Sequence, residues 1–277
     1  MSLDFGASPA NVEQFATMSL SPALKALCLL ALAALLEPAW ADRDDLWRIV
    51  NSRCVPEFVS GQPPLPCVRI RMDPSHRETG WVVLKDRRGA LQYLLMPTTL
   101  IPGIESPVLT TPVVPNFFAQ AWDARDLLDQ RQGAPLSREA VSLTVNAVTR
   151  RSQDHLHIHI SCTRPELLAR LLAAQDEIQP TWGPLRGGWL GHRWFVRRVG
   201  SLDEVNLFAD VAQHVGGADM SAVGIGAVAM AFNDGTNGFV LMATLTDRSD
   251  STSGSAEHDI QDHDCGILKS MRVPDRH

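Results

Sequence analysis

The chain has 277 residues, of which 45% are hydrophobic and 20% are charged, so it has enough apolar sequence to bury one large core or two modest ones. Its formal net charge is -6 and its pI is about 5.8. Proteins that bind duplex nucleic acid normally carry a strong basic excess, so this composition predicts no nucleic-acid partner.

The N-terminal segment, residues 1–41, resembles an export signal. Lys25 precedes the apolar run "ALCLLALAALL" at 26–36, and Ala39 and Ala41 supply the A-x-A pattern of a signal-peptidase site. The segment therefore predicts export to the periplasmic side of a bacterial inner membrane, with the protein either free in the periplasm or anchored.

The same segment leaves two alternatives open. The apolar run is shorter than the about 20 residues that span a bilayer, but residues 23–40 together are long enough for an uncleaved anchor. A start at Met18 also resembles a conventional signal better than a start at Met1. We expect residues 1–41 to be either a signal peptide or a membrane anchor.

Export predicts an oxidising compartment, in which cysteines form disulfides by default. Four cysteines follow the export segment, and four cysteines allow three pairings. We favour Cys54–Cys67, which closes the Pro-rich segment 55–66, and Cys162–Cys265, which ties the acidic C-terminal region to a histidine-rich segment. Buried free thiols are the alternative.

Residues 42–162 predict a helix, a hairpin, a second helix and a second hairpin. The assignments rest on helical or alternating apolar spacing and on the turn residues between the elements. The predicted elements are a helix at 42–54, a Pro-rich loop, a hairpin at 80–96 with its turn at 86–89, a helix at 116–133 capped by Asn116 and ended by Gly133, and strands at 140–148 and 154–162.

Residues 164–245 predict a fainter version of the same pattern. The predicted elements are a helix at 164–178, a strand at 189–199, a helix at 201–215 with Ser201 and Glu204 in a capping box, and a hairpin at 222–245. The similarity of the hairpins at 80–96 and 222–245 suggests a degenerate duplication. Residues 247–264 are polar and are expected on the surface.

Three histidines alternate with three apolar residues in "RSQDHLHIHISC", residues 151–162. On a β-strand, alternate side chains point to the same face. The pattern therefore predicts a strand that presents all three imidazoles on one face and buries the apolar residues on the other. The histidines are His155, His157 and His159, and the apolar residues are Leu156, Ile158 and Ile160.

Zinc binding is one interpretation of this strand, because two histidines at i and i+2 often chelate the metal. His155 and His157 would then be ligands in an exported zinc phosphoesterase. No H-E-x-x-H or H-x-H-x-D-H motif is present, and further ligands would have to come from Asp154 or from the C-terminal region. We expect the histidines of that region, His258 and His263, to be solvated instead.

Phosphate chemistry is the favoured interpretation, because it uses all three side chains. A neutral imidazole can attack phosphorus, and its neighbours can donate hydrogen bonds to the phosphoryl oxygens. His157 has a histidine on each side, so it is the candidate nucleophile. A non-catalytic protein whose histidines only bind phosphate is the third possibility.

The His-x-His-x-His pattern, with Asn146 on the preceding strand and Ser152 in the turn, resembles the histidine-triad superfamily of nucleotide hydrolases and transferases. A longer resemblance, to the CDP-diacylglycerol pyrophosphatase family, covers residues 42–268 and leaves 269–277 as a tail. It is carried by "GWVVLKDRRGALQYLLMPT", "ESPVLTTPVVPNFFAQAWDAR", "AVSLTVNAVTRRSQDHLHIHISC" and "IQDHDC".

This resemblance implies an α+β fold with a HIT-like antiparallel sheet, flanking helices and a degenerate second half that makes an intrachain pseudo-dimer. It implies hydrolysis of CDP-diacylglycerol to CMP and phosphatidate without a metal or other cofactor. His157 would be the nucleophile, His155 and His159 would orient the phosphoryl group, and Ser152 would donate to an oxygen. Small histidine-triad proteins have a fourth histidine where this chain has Leu100.

Contacts to substrate and membrane complete the expectations. The candidate substrate-binding residues are Lys85, Gln92, Asn146 and Gln153. A lipid nucleotide implies that the protein acts at a membrane surface. An arginine cluster is the candidate contact for anionic headgroups: Arg186, Arg193, Arg197 and Arg198.

Overall fold

One antiparallel sheet organises the part of the chain that the structure, a computed structural model, describes: residues 42–216, 219–247, 249–250 and 252–270. The predicted export segment and residues 271–277 lie outside the described residues. Across these ranges nine strands follow the order β1-β2-β3-β5-β4-β8-β9-β7-β6. They are β1 Cys67–Asp73, β2 His76–Lys85, β3 Tyr93–Pro97, β4 Val141–Val145, β5 Ile158–Cys162, β6 Gly183–Pro184, β7 Trp194–Val199, β8 Val223–Ala231 and β9 Asn237–Leu245.

Helices flank this sheet and confirm the α+β class. They are α1 Asp45–Ile49, α2 Val55–Val59, α3 Phe117–Asp123, α4 Asp126–Gln132, α5 Pro165–Ala174, α6 Leu207–Val215, α7 Ala256–Ile260 and α8 Ile267–Ser270. A π-helical turn, Val50–Cys54, joins α1 to α2. No helix within the described ranges is both long and apolar enough to cross a membrane.

Two cores cover the two faces of the sheet. The larger core contains Leu156, Ile158 and Ile160 and lies mainly between the sheet and α3 to α6, and it extends to Ala256 and Ile260. The smaller core lies between α1–α2 and strands β1 to β3, and includes Leu94. His159 pairs directly with Leu94 across β3 and β5, and paired side chains lie on the same face. Within β5, His159 therefore lies on the face opposite Ile158 and Ile160, as predicted.

The predicted triad strand at 154–162 is too long, since β5 begins only at Ile158. The backbone before it bonds to loops instead of to neighbouring strands. The N–H of Leu156 donates to the Ile101 oxygen (2.6 Å), and the N–H of Asp154 donates to the Arg43 oxygen (2.6 Å). His155 and His157 therefore precede the strand.

The N-terminal predictions also need correction. The Pro-rich segment 55–66 begins as helix α2, because the π-helical turn accommodates Pro56, which has no N–H. Strand β1 was not predicted. It is an edge strand whose arginines alternate with apolar residues.

Cap chemistry decides two helix boundaries. Asn116 accepts from the Ala119 N–H as predicted, and Gly133 ends α4 in the left-handed region at φ 76°. The predicted capping box at Ser201 is wrong: Ser201 caps only a short 3-10 turn. Helix α6 begins later because Asn206 accepts from the N–H groups of Phe208 and Ala209.

The strand order repeats across the middle of the sheet. Strands β2-β3-β5-β4 are followed by β8-β9-β7-β6, which is the same order in reverse, and β4 joins β8. Helices α3–α4 connect β3 to β4, and α6 connects β7 to β8. The hairpin at 222–245 thus occupies the topological place of β4–β5, and not that of the hairpin at 80–96 as predicted.

Candidate active site

A cleft of about 410 Å³ lies where α1, the β2–β3 turn, the histidine segment and α7 meet. Ser152, His157, His159 and Glu257 form its polar side. This places one predicted nucleophile, one neighbouring imidazole and one hydroxyl around the same space, together with a carboxylate that the sequence analysis missed.

The other walls of the cleft differ in character. One wall is apolar and is formed by Leu46, Ile49, Leu84 and Leu94. The turn after β2 contributes Arg87 and Arg88 together with Asp86, and Lys85 ends β2 beside it. The guanidinium groups of Arg87 and Arg88 are exposed and form no ion pair within the described ranges. The cleft can therefore receive a molecule that is anionic at one end and apolar at the other.

His157 has a defined tautomer. Its Nδ1 donates to the backbone oxygen of His155 over 2.7 Å, so in the neutral ring Nε2 carries a lone pair. The residue is 8% exposed and lines the cleft. Burial lowers the pKa of His157 to about 3. The imidazole is therefore unprotonated on Nε2 at neutral pH.

His155 occupies a different environment. Its ring is fully buried, lies 5.2 Å from the Trp47 ring, and donates from Nε2 to the Pro97 oxygen over 3.1 Å. The expected contact between this ring and a phosphoryl group is not supported by its position. The backbone oxygen of His155 is instead the group that orients His157.

His159 lies beside His157, with the two ring centroids 4.9 Å apart. The Nδ1 of His159 is 3.0 Å from Gln92 Nε2, and its Nε2 is 3.4 Å from Glu257 Oε2. The predicted substrate contact Gln92 is fully buried and reaches His159. Its amide therefore acts on the imidazole.

Glu257 is a residue of the cleft that sequence reasoning missed. Its Oε2 accepts from Asn146 Nδ2 (3.1 Å), and its backbone N–H donates to Asn146 Oδ1 (2.9 Å). Burial raises the pKa of the Glu257 carboxyl, but the adjacent His159 imidazole and hydrogen bonds from His263 and Gln92 outweigh it and lower the pKa overall. Asn146 thus holds this carboxylate.

The segment 247–264, which was expected on the surface, forms part of this site. Asp259, Ile260 and Gln261 are buried in or beside α7, and the following Cys265 is bonded to Cys162. His263 Nε2 donates to Glu257 Oε1 over 3.0 Å, and this hydrogen bond raises the pKa of His263. The available signals were the favoured Cys162–Cys265 disulfide and the resemblance carried by "IQDHDC".

Both favoured disulfides are present, Cys54–Cys67 and Cys162–Cys265. The first joins the π-helical turn to β1. The second joins β5 to the segment that follows α7. The second bond therefore connects the strand of His159 to the chain segment that carries Glu257.

The remaining predicted contacts have other partners. Gln153 accepts from the Leu46 N–H and donates to the Asp42 oxygen, so its amide is hydrogen-bonded to the backbone at the start of α1. Lys85 donates to the oxygens of Asp86 and Gly89, and burial lowers its pKa. Both residues line the cleft but have their polar groups bound to the chain.

Asp154, the nearby candidate zinc ligand, is bound to arginines. It accepts from Arg43 and Arg151, and Arg151 also donates to Glu105 over 2.6 Å. These hydrogen bonds lower the pKa of Asp154 to about 2, with that from Arg43 as the largest influence. Within the described ranges, no group of three or more His, Cys, Asp or Glu side chains is arranged to hold a metal ion.

The predicted headgroup contacts lie away from the cleft. Three of the four arginines form ion pairs: Arg186 with Glu177, Arg197 with Asp210 and Arg198 with Asp234. Arg197 and Arg198 are on β7, which three strands separate from β5.

Leu100, which stands where small histidine-triad proteins have a fourth histidine, is 53% exposed.

The two buried histidines predict a pH-dependent stability. Burial lowers the pKa of His155 to about 4 and that of His157 to about 3, from 6.5. Between about pH 4 and 6.5 the unfolded chain binds protons that the folded chain does not. The free energy of unfolding should therefore fall as pH decreases through this window, by up to about 1.4 kcal/mol per pH unit for each histidine.

Urea unfolding at several pH values in this window measures the slope. His155→Phe should reduce it, whereas the control His76→Gln should not, because His76 is 65% exposed. A slope that His155→Phe leaves unchanged would show that this ring does not resist protonation.

Comparison with known proteins identifies the family. The sequence profile of the CDP-diacylglycerol pyrophosphatase family matches residues 41–269. A CDP-diacylglycerol pyrophosphatase from Yersinia pestis is 38% identical over 251 residues, which cover 89% of this chain and 93% of the relative. The chain therefore belongs to the CDP-diacylglycerol pyrophosphatase family.

Proposed function

We propose that the protein hydrolyses CDP-diacylglycerol to CMP and phosphatidate through a nucleotidyl-histidine intermediate on His157. One observation carries the mechanism: the hydrogen bond from His157 Nδ1 to the His155 oxygen leaves a lone pair on Nε2 of a neutral ring that lines the cleft. This is the state that attacks phosphorus.

Two displacements complete the reaction. The Nε2 lone pair forms a bond to the phosphorus attached to cytidine, and the bond from that phosphorus to the bridging oxygen breaks, so phosphatidate leaves. Water then attacks the same phosphorus, the P–N bond breaks, and CMP leaves while His157 regains its lone pair. Hydrogen bonds from His159 and Ser152 would stabilise the charge on the phosphoryl oxygens in both steps.

The lipid nucleotide is supported by the character of the cleft. Its basic rim, with Arg87 and Arg88, suits a pyrophosphate, and its apolar wall suits the start of a diacylglycerol. The relative from Yersinia pestis carries the corresponding enzyme name. We extend that activity, and its place in phospholipid metabolism, to this chain as part of the proposal.

The histidine-triad relationship and the second half are part of the same proposal. The order β2-β3-β5-β4 and the order β6-β7-β9-β8 are consistent with two HIT-like halves in one chain, an intrachain pseudo-dimer. Strand β9, in the place of β5, carries no histidine. Only the first half would therefore be catalytic.

We also propose that the protein works on the periplasmic side of the inner membrane. The apolar run at 26–36 and the even number of cysteines after it support export. A diacylglycerol-anchored substrate requires the enzyme to act at the membrane surface.

Incubation of the full chain with CDP-diacylglycerol in H₂¹⁸O and EDTA tests the function. We expect CMP and phosphatidate as products, with the solvent oxygen in CMP, because water attacks the phosphorus attached to cytidine. Label in phosphatidate would contradict the proposed bond cleavage. Loss of activity in EDTA with recovery on adding zinc would favour the zinc-phosphoesterase interpretation. Binding of CDP-diacylglycerol without release of products would favour a non-catalytic phosphate-binding protein.

A further inference from the structure

We infer that Gln92 and Glu257 hold His159 with its proton on Nε2, the opposite tautomer to His157. The cleft then presents one imidazole lone pair and one imidazole N–H to the same phosphoryl group. Glu257 is in this view a positioning residue that acts through His159. The catalytic consequence rests on the proposed function, whereas the tautomer itself does not.

The orientation of the Gln92 amide decides which nitrogen of His159 is protonated. Gln92 Nε2 lies 2.8 Å from Asp86 Oδ2, 2.9 Å from Glu257 Oε1 and 3.0 Å from His159 Nδ1. The reverse orientation would place the amide oxygen against two carboxylates. An amide nitrogen does not accept hydrogen bonds, so His159 Nδ1 carries no proton in the neutral ring.

The proton therefore lies on His159 Nε2, between Glu257 and the cleft. This nitrogen is buried and has no hydrogen-bond partner within the described ranges, and Glu257 Oε2 is 3.4 Å away. A buried donor without a partner is destabilising unless a ligand completes it. A phosphoryl oxygen bound next to His157 would accept a hydrogen bond from His159 Nε2. The Glu257 carboxylate would stabilise the positive charge that develops on the His157 ring as its Nε2 bonds to phosphorus.

The position of Glu257 is otherwise unfavourable for an anionic substrate. Its carboxylate lines the cleft and would repel a phosphate in the ground state. Three donors nevertheless hold it ionised: Gln92, Asn146 and His263. A carboxylate retained at this place weakens substrate binding and is useful only if it stabilises the transition state more.

Glu257→Gln separates this role from a structural one. We expect kcat to fall about 10- to 100-fold, as for other carboxylates that orient a functional histidine, and KM to fall as well, because one negative charge has left the cleft. The matched control is Glu166→Gln, which makes the same chemical change on the exposed side of α5 and should leave both constants unchanged.

¹⁵N NMR of the histidine rings provides a readout that does not depend on turnover. In the wild type, His159 should show a protonated Nε2 and an unprotonated Nδ1, and Glu257→Gln should give a mixture of tautomers. A protonated Nδ1 in the wild type, or a variant with lower kcat but higher KM, would overturn the inference. If Glu257→Gln does not fold, Gln92→Leu tests the same tautomer, because it removes the amide that faces His159 Nδ1.

Different results would contradict the proposed function and the inferred His159 tautomer. A wild type that releases no CMP contradicts the proposed function but leaves the tautomer measurable. A wild type that releases CMP with His159 protonated on Nδ1 contradicts only the inference.

Discussion

His157→Ala is expected to lower kcat for CMP release by on the order of 10⁴-fold or more, with a much smaller change in KM. The substitution removes the nucleophile, so the two-step displacement has to be replaced by direct attack of water. His157 is 8% exposed, and its only hydrogen bond to described residues is with the His155 oxygen. The loss should therefore be catalytic and not a failure to fold.

Rapid-quench assays measure this effect and its chemical cause. The wild type should accumulate a labelled CMP–protein adduct that is stable to base and lost in acid, as a phosphoramidate is, and His157→Ala should form none. The matched control is His258→Ala, because His258 lies on α7 near Glu257 but is 63% exposed. A residual rate within about tenfold of the wild type would exclude His157 as the nucleophile.

Removal of the Cys162–Cys265 disulfide by a double alanine substitution is expected to lower the free energy of unfolding by about 2–5 kcal/mol. The bond links residues 103 apart in the sequence. A cross-link over a long loop restricts the unfolded chain more strongly than one over a short loop, in the chain-entropy account. Activity should also fall, because the bond holds the segment of Glu257 against β5.

The other disulfide provides the matched control. Cys54 and Cys67 are only 13 residues apart, so the double alanine variant of that pair should lose about 2 kcal/mol less in the same account. It should also retain more activity, because this bond does not touch the segment after α7. Urea unfolding and CMP release on both variants measure the difference. Equal loss of activity in the two variants would show that the Cys162–Cys265 bond has no particular role in positioning Glu257.

Local patterns predicted much of the fold because their physical causes are local. Strict alternation placed His159 and Ile160 on opposite faces of a strand, and the turn residues "NDGTNG" at 233–238 predicted the hairpin that β8 and β9 form. The boundary of α6 was missed because Ser201 and Asn206 are both good caps. Contacts of Asn206 with distant residues, including the Leu109 oxygen, decided between them.

The sequence by itself determined the family, the face on which the histidines lie and the two disulfides that were favoured. The tertiary structure decided what each histidine does. The period of a strand specifies a face but not what covers it, so the burial of the His155 ring under Trp47 was not visible in the pattern. Gln92 and Glu257 are 165 residues apart, and only the assembled sheet with α7 packed on it brings both to His159. Tautomers depend on such neighbours, because the partner of one ring nitrogen decides where the proton of the other lies.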